Sequence, residues 1–187
     1  MNNKFCLCGD KMKSEDGKIL YRILALKDFS DVKKGDLGGW VEYGNNLSQF
    51  DNSWIYDDAE VHGFETKVAG DAQIRDKALI TNGSYVGENA KICGETVINS
   101  SAIFGSSVIS DTSRVVNSTI QCDGTICGCS NINNSRIKGS PYIKNSLVIS
   151  SKTNGNFLAY GAKIHLYNFE LDSDKRDEWF GDYYGKD

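Results

Sequence analysis

Between residues 71 and 95 an aliphatic side chain returns at every sixth position, at Ile74, Ile80, Val86 and Ile92, and each is followed four residues later by a small one, Ala78, Ser84, Ala90 and Thr96. A helix repeats its apolar face every 3.6 residues and a half-buried strand every second residue, so neither element alone produces a beat of six. Followed outward, the row reads Ile55, Val61, Val68, Ile74, Ile80, Val86, Ile92, Ile98, Phe104, Ile109, Val115, Ile120, Ile126, Ile132, Ile137, Ile143 and Ile149, with every step five, six or seven residues. Self-similarity from residue 51 to 153 predicts a solenoid, in which one repeat cannot bury its apolar face alone and stacks on the next.

Two and three positions after the aliphatic residues stand turn formers: Asp57-Asp58, Gly70-Asp71, Asn82-Gly83, Glu88-Asn89, Gly94-Glu95 and Ser100-Ser101. Gly, Asn and Asp tolerate left-handed backbone angles, so the chain is expected to bend there once per repeat. With the aliphatic and the small residue of each short strand both facing inward, three strands close a triangular coil of about 18 residues, joined to its neighbours by parallel ladders. The spacing tightens to five twice after residue 110, where Asn-Ser pairs replace Ala at the small position, and a looser cross-section is expected there. Residues 18–43 read as two strands joined by a polar turn, with Gly35, Gly38 and Gly39 permitting close approach near Trp40. The expected organisation is an N-terminal cap with a β-hairpin over 1–50, a solenoid over 51–153, and a C-terminal cap strand with an aromatic, acidic tail over 154–187, the tail forming a short helix or irregular end.

The alternation of aliphatic, three intervening residues, small residue and one more resembles the hexapeptide repeat of left-handed parallel β-helix proteins, among them many acyltransferases. The resemblance covers residues 51–153 and is most specific over 68–102. It implies an all-β, left-handed parallel β-helix; the hand comes from the resemblance, since parallel crossovers are ordinarily right-handed. Residues 23–59, ILALKDFSDVKKGDLGGWVEYGNNLSQFDNSWIYDDA, resemble the entry segment of a subfamily found in bacteria and commonly in their phages, transferase-like in name and without an assigned activity. That likeness implies a host protein complex, such as a defence system, as a target to be inhibited.

Composition narrows the partners. A formal charge of -4 and a pI near 5.2 disfavour nucleic acid, which demands a basic stripe. The solenoid carries eleven acidic and nine basic side chains, too balanced to imitate a phosphate backbone. The chain has no run of the roughly 18 apolar residues that a membrane span needs and no signal-peptide pattern, which leads to the expectation of a cytoplasmic protein. Six cysteines then read as reduced thiols. The pairs Cys6/Cys8 and Cys127/Cys129 have C-x-C spacing rather than the C-x-x-C of structural zinc sites, and no metal is expected.

Acyltransferases of the resembled class use a histidine base and an acyl-CoA donor. The chain has two histidines: His62, which follows the inward Val61 and is expected to point outward to the surface, and His165 in a C-terminal strand. Neither lies beside a loop long enough to wall a substrate cleft, and GDLGGW lacks the Gly-Lys-Ser/Thr of a phosphate loop. The leading reading is therefore a non-enzymatic interaction protein that binds a protein partner and associates with itself as a dimer or trimer. Its interface residues are expected to be Trp179, Phe180, Tyr183 and Tyr184, where helical spacing would gather the four rings. The alternative is an acyltransferase with His62 as base and acetyl-CoA as cofactor.

Overall fold

This computed structural model describes residues 3–120 with their side chains and, beyond them, backbone strand segments as far as Tyr184. The chain opens with an antiparallel meander of β1 (Phe5–Lys13), β2 (Ile19–Ala25) and β3 (Leu37–Val41). A short turn of 3-10 helix, Gly44–Asn46, leads into strands of two to four residues. The first coil is β4 (Trp54–Ile55), β5 (Glu60–Val61) and β6 (Lys67–Val68); the second is β7 (Gln73–Ile74), β8 (Leu79–Thr81) and β9 (Tyr85–Val86). The third is β10 (Lys91–Ile92), β11 (Val97–Asn99) and β12 (Ala102–Phe104), and the fourth is β13 (Val108–Ile109), β14 (Arg114–Val116) and β15 (Thr119–Cys122). Each strand pairs in parallel with the strand three places on, which lays the coils into three sheets. The fold is all-β, the hexapeptide-repeat β-helix expected from the six-residue beat.

Each sheet stacks one column of branched side chains. Ile55, Ile74, Ile92 and Ile109 are in register on the first sheet, Val61, Ile80, Ile98 and Val115 on the second, and Val68, Val86, Ile103 and Ile120 on the third. All twelve are fully buried, and each contributes about 1.5–3 kcal/mol by leaving water. The small residues two positions earlier, Ala72, Ala78, Ser84, Ala90 and Thr96 among them, are sealed in the same way. Two positions in the sequence row are corrected. Ile103, not Phe104, faces inward, and Phe104 lies on the outer face with its ring 5.3 Å from that of Tyr85. Further on, Val148 rather than Ile149 keeps register with Ile132 and Ile164.

The corners explain the beat. From Ile55 to Val115, the residue two places after each inward aliphatic one has positive φ: Asp57, Gly63, Gly70, Asp76, Asn82, Glu88, Gly94, Ser100, Gly105, Asp111 and Asn117. A side chain other than glycine costs about 1–2 kcal/mol in that region, and the acidic ones gain a contact in return. Asp76 Oδ2 accepts the backbone N–H of Gly94 at 2.8 Å, Glu88 Oε2 that of Gly105 at 2.7 Å, and Asp57 Oδ2 that of Asp76 at 3.2 Å. Each acceptor satisfies a corner N–H of the coil that follows, a group that would otherwise lack a partner.

The meander covers the open start of the stack, where unpaired strand edges would invite other chains. β3 runs parallel to β5 and extends the second sheet, while Leu47 bridges Val68 at the edge of the third. The first sheet begins at β4, where Trp54, 1% exposed, packs edge-on against Phe29 at 5.3 Å and Phe5 at 6.3 Å. Gly38 and Gly39 make the fit possible. A Cβ on Gly38 would stand 2.6 Å from the carbonyl oxygen of Ile55, and one on Gly39 would stand 2.5 Å from that of Ala59. Lys4 lies beneath the meander, also 1% exposed, and its ammonium donates to the carbonyls of Ser53 at 2.7 Å and Asp51 at 2.9 Å. Burial pulls the Lys4 ammonium down to about 8, against the pull of the Asp51 carboxylate at 3.5 Å.

The coil shortens over its first turns. Register partners on the first sheet are Ile55 and Ile74, 19 residues apart, then Ile74 and Ile92, 18 apart, then Ile92 and Ile109, 17 apart. The separation holds at 17 through Ile126 and Ile143, is 16 between Ile143 and Ala159, and widens to 20 between Ala159 and Trp179. At the far end, Glu178–Trp179 and Tyr183–Tyr184 are strands that join the first and second sheets. The helix expected to gather Trp179 and Tyr183 on one face is replaced by these two rungs, which lie on different sheets.

Candidate functional site

His62 continues β5 and leaves the coil outward, as its place after the inward Val61 requires. It is nevertheless 3% exposed rather than a surface residue, because the turn between β1 and β2 folds over it. That turn is held by Ser14, whose hydroxyl donates to Asp16 Oδ1 at 2.5 Å and accepts the Lys18 N–H at 2.9 Å, and Gly17 supplies φ of 89°. The turn brings Lys18 Nζ to 3.2 Å from His62 Nδ1, and β8 brings Thr81 Oγ1 to 3.2 Å from the same nitrogen. Asp16 and Glu60 stand 3.9 and 4.0 Å from Nδ1 and Nε2.

An ammonium can only donate, so Nδ1 is the acceptor and the imidazole proton resides on Nε2. Burial, then the Lys18 charge, lowers the His62 pKa, and Asp16 and Glu42 offset this only in part. The Glu60 carboxyl is raised, first by burial and then by Glu15 and Asp16. The ring is thus neutral, with its one basic nitrogen engaged by Lys18 and Thr81. A folded histidine that protonates below its ordinary 6.5 leaves the unfolded chain holding more protons just under that pH, so its contribution to stability declines as pH falls through 6.5. His62→Gln should flatten the change in denaturation midpoint between about pH 7 and about pH 5. An unchanged profile would refute the burial of the ring as its cause.

A second region lies at the same end of the molecule. Phe50 is 93% exposed and Phe64 73%, and the Phe64 ring meets Tyr43 edge-on at 6.0 Å. Phe64 follows Gly63, the left-handed corner residue between β5 and β6, so it has no route into the coil. Beside Phe50 a groove of about 600 Å³ runs over Leu47, with Lys27 and Lys67 on its walls. Sequence reasoning passed over these residues. Their signal was available: Phe50 and Phe64 are aromatic rings placed off the six-residue beat.

Of the residues expected at an interface, Trp179 lies in the strand Glu178–Trp179, and Tyr183 and Tyr184 form the other terminal strand. Phe180 lies outside the described residues, as do the ring environments of all four and the side chains of His165, Cys127 and Cys129. Cys6, Cys8 and Cys93 are thiols outside any disulfide, and Cys8 Sγ donates to the Arg22 carbonyl at 3.2 Å. Among the described residues no group of three or more His, Cys, Asp or Glu is placed to hold a metal. No helix among them is long and apolar enough to cross a membrane.

No family model matches the chain. The chain is similar to a protein of Escherichia coli K12 named "Uncharacterized acetyltransferase YdcK", with 32% identity over 82 residues that cover 42% of this chain and 25% of the relative. The chain thus spans about a quarter of that relative's length.

Proposed function

We propose that this chain is a binding protein that presents the capped first coil of a rigid β-helix to a protein partner. The observation that carries this reading is the exposure of Phe50 and Phe64, with Tyr43 beside Phe64. Large aromatic rings are enriched at interface anchors, and holding them in water is costly unless something covers them. The likeness of the entry segment to proteins common in phages makes a host protein complex, and its inhibition, the expected target.

A photo-crosslinking phenylalanine analogue at position 50 or 64, introduced in host cells, should capture a protein. The same analogue at Asp76, an exposed corner of the second coil, should not. Equal capture at all three positions, or none at 50 and 64, would overturn the reading.

The second reading, acyl transfer from acetyl-CoA with His62 as base, is favoured by the similarity to a protein with acetyltransferase in its name. The engagement of His62 Nδ1 by Lys18 and Thr81 weighs against it, because a general base needs a lone pair within reach of its substrate. Saturating acetyl-CoA is expected to leave the melting temperature unchanged. A rise that disappears in His62→Ala would favour the enzyme, since a ligand that prefers the folded state must stabilise it.

A further inference from the structure

We propose that the groove beside Phe50 receives the acidic, aromatic C-terminal segment, residues 171–187, of a second copy of this chain, joining molecules head to tail. The proposal rests on the reading of this end as a binding surface and names one occupant for it. The groove has the size of a ligand cleft, about 600 Å³. Lys27 and Lys67 supply two positive charges and no acidic residue lines it. Neither lysine is in an ion pair among the described residues. The base is rigid: Leu47 is 1% exposed, and Gln49 is fixed by accepting the N–H groups of Lys4 and Phe5 and donating to the carbonyl of Phe5. Phe50 lines one side, and Tyr43, which directly precedes the lining residues Gly44 and Asn45, meets the Phe64 ring.

Within a chain of net charge -4, this concave, cationic and aromatic surface calls for an anionic partner with rings of its own. The chain carries such a segment. After residue 171 there are six acids against three bases, together with Trp179, Phe180, Tyr183 and Tyr184. Its Tyr183–Tyr184 strand lies far from its own groove. Along the second sheet, the order from β5 to Tyr183–Tyr184 contains seven inter-strand steps, which at about 4.8 Å each separate the two ends by roughly 34 Å. The contact is therefore between molecules and heterologous, so it generates open chains rather than a closed dimer or trimer.

Sedimentation velocity of the full chain across a concentration series tests this. The expected result is mass growing past the dimer without a preferred end point, reversed by about 0.5 M salt, which screens exposed charges, and by excess synthetic peptide of residues 171–187. Lys27→Glu with Lys67→Glu should weaken association by about ten-fold or more. Phe50→Ser, at a ring in water that does not support the fold, should weaken it as well. A monomer or closed dimer at high concentration, or association indifferent to peptide and to Phe50→Ser, would overturn the proposal. Capture of a different protein by the crosslinker at position 64 would still uphold the binding function if this self-association failed.

Discussion

Gly94→Ala should lower the melting temperature of this protein by roughly 10 °C, corresponding to a loss of about 3–4 kcal/mol for a chain of this size. Two costs combine. Gly94 has φ of 76°, where any Cβ brings about 1–2 kcal/mol of strain. The new methyl would also stand 2.7 Å from the backbone nitrogen of Asp111 and 2.9 Å from its Cα, with the Asp111 carbonyl oxygen nearer still. Those atoms belong to the corner of the following coil and are tied into the ladder, since the Glu95 N–H donates to that carbonyl at 2.7 Å. Relief requires two coils to part. Gly83 supplies the control, because at φ of 70° its Cβ would meet nothing closer than Glu65 Cβ at 3.9 Å. Gly83→Ala should cost only the strain, about 1–2 kcal/mol. Thermal melts of the two variants side by side decide it: equal losses would mean that stacked corners do not touch as described.

The second large effect is expected at the junction between meander and solenoid. Trp54→Ala should cost about 3–5 kcal/mol, because Trp54 is 1% exposed and is the ring on which both Phe5 and Phe29 rest. Its removal leaves a cavity beside the buried Lys4 ammonium, where water entering would weaken the bonds to Ser53 and Asp51. Trp40→Ala is the comparison. Trp40 is half-buried on the outer face, its ring 4.9 Å from the Arg22 guanidinium, and the loss there should be about 1 kcal/mol. Urea denaturation measures both, and a Trp54 variant no weaker than the Trp40 variant would contradict the packing of the cap onto β4.

The solenoid was legible because its geometry is periodic and local. The inward columns, the small partners and the bends all follow from a repeat whose parts lie within six residues of one another. Phe104 was misplaced because an even step of six was preferred to a step of five from Ile98 to Ile103. The corner rule would have corrected it, since Gly105 is the left-handed residue two places after Ile103. The covering of His62 had no such local signal. Its orientation out of the coil followed from Val61, but its burial depends on Lys18, 44 residues away, and on a turn formed by β1, a strand that the sequence reading did not identify. FCLCGDKMK gave a poor strand signal because the register of β1 shifts between Leu7 and Lys11, which breaks the alternation of a half-buried strand. Lys4 was equally invisible, since a lysine near a chain start reads as solvated unless its acceptors, here 47 and 49 residues distant, are known.

The drop from 19 residues in the first turn to 17 and then 16 in later ones makes the storeys of this tower unequal in size. A storey copied from the base and inserted near the top would carry surplus backbone at its corners and find no matching ledge above or below. Such a molecule cannot be lengthened by simple duplication, as a uniform array can. Lengthening it would require new storeys sized for their own level.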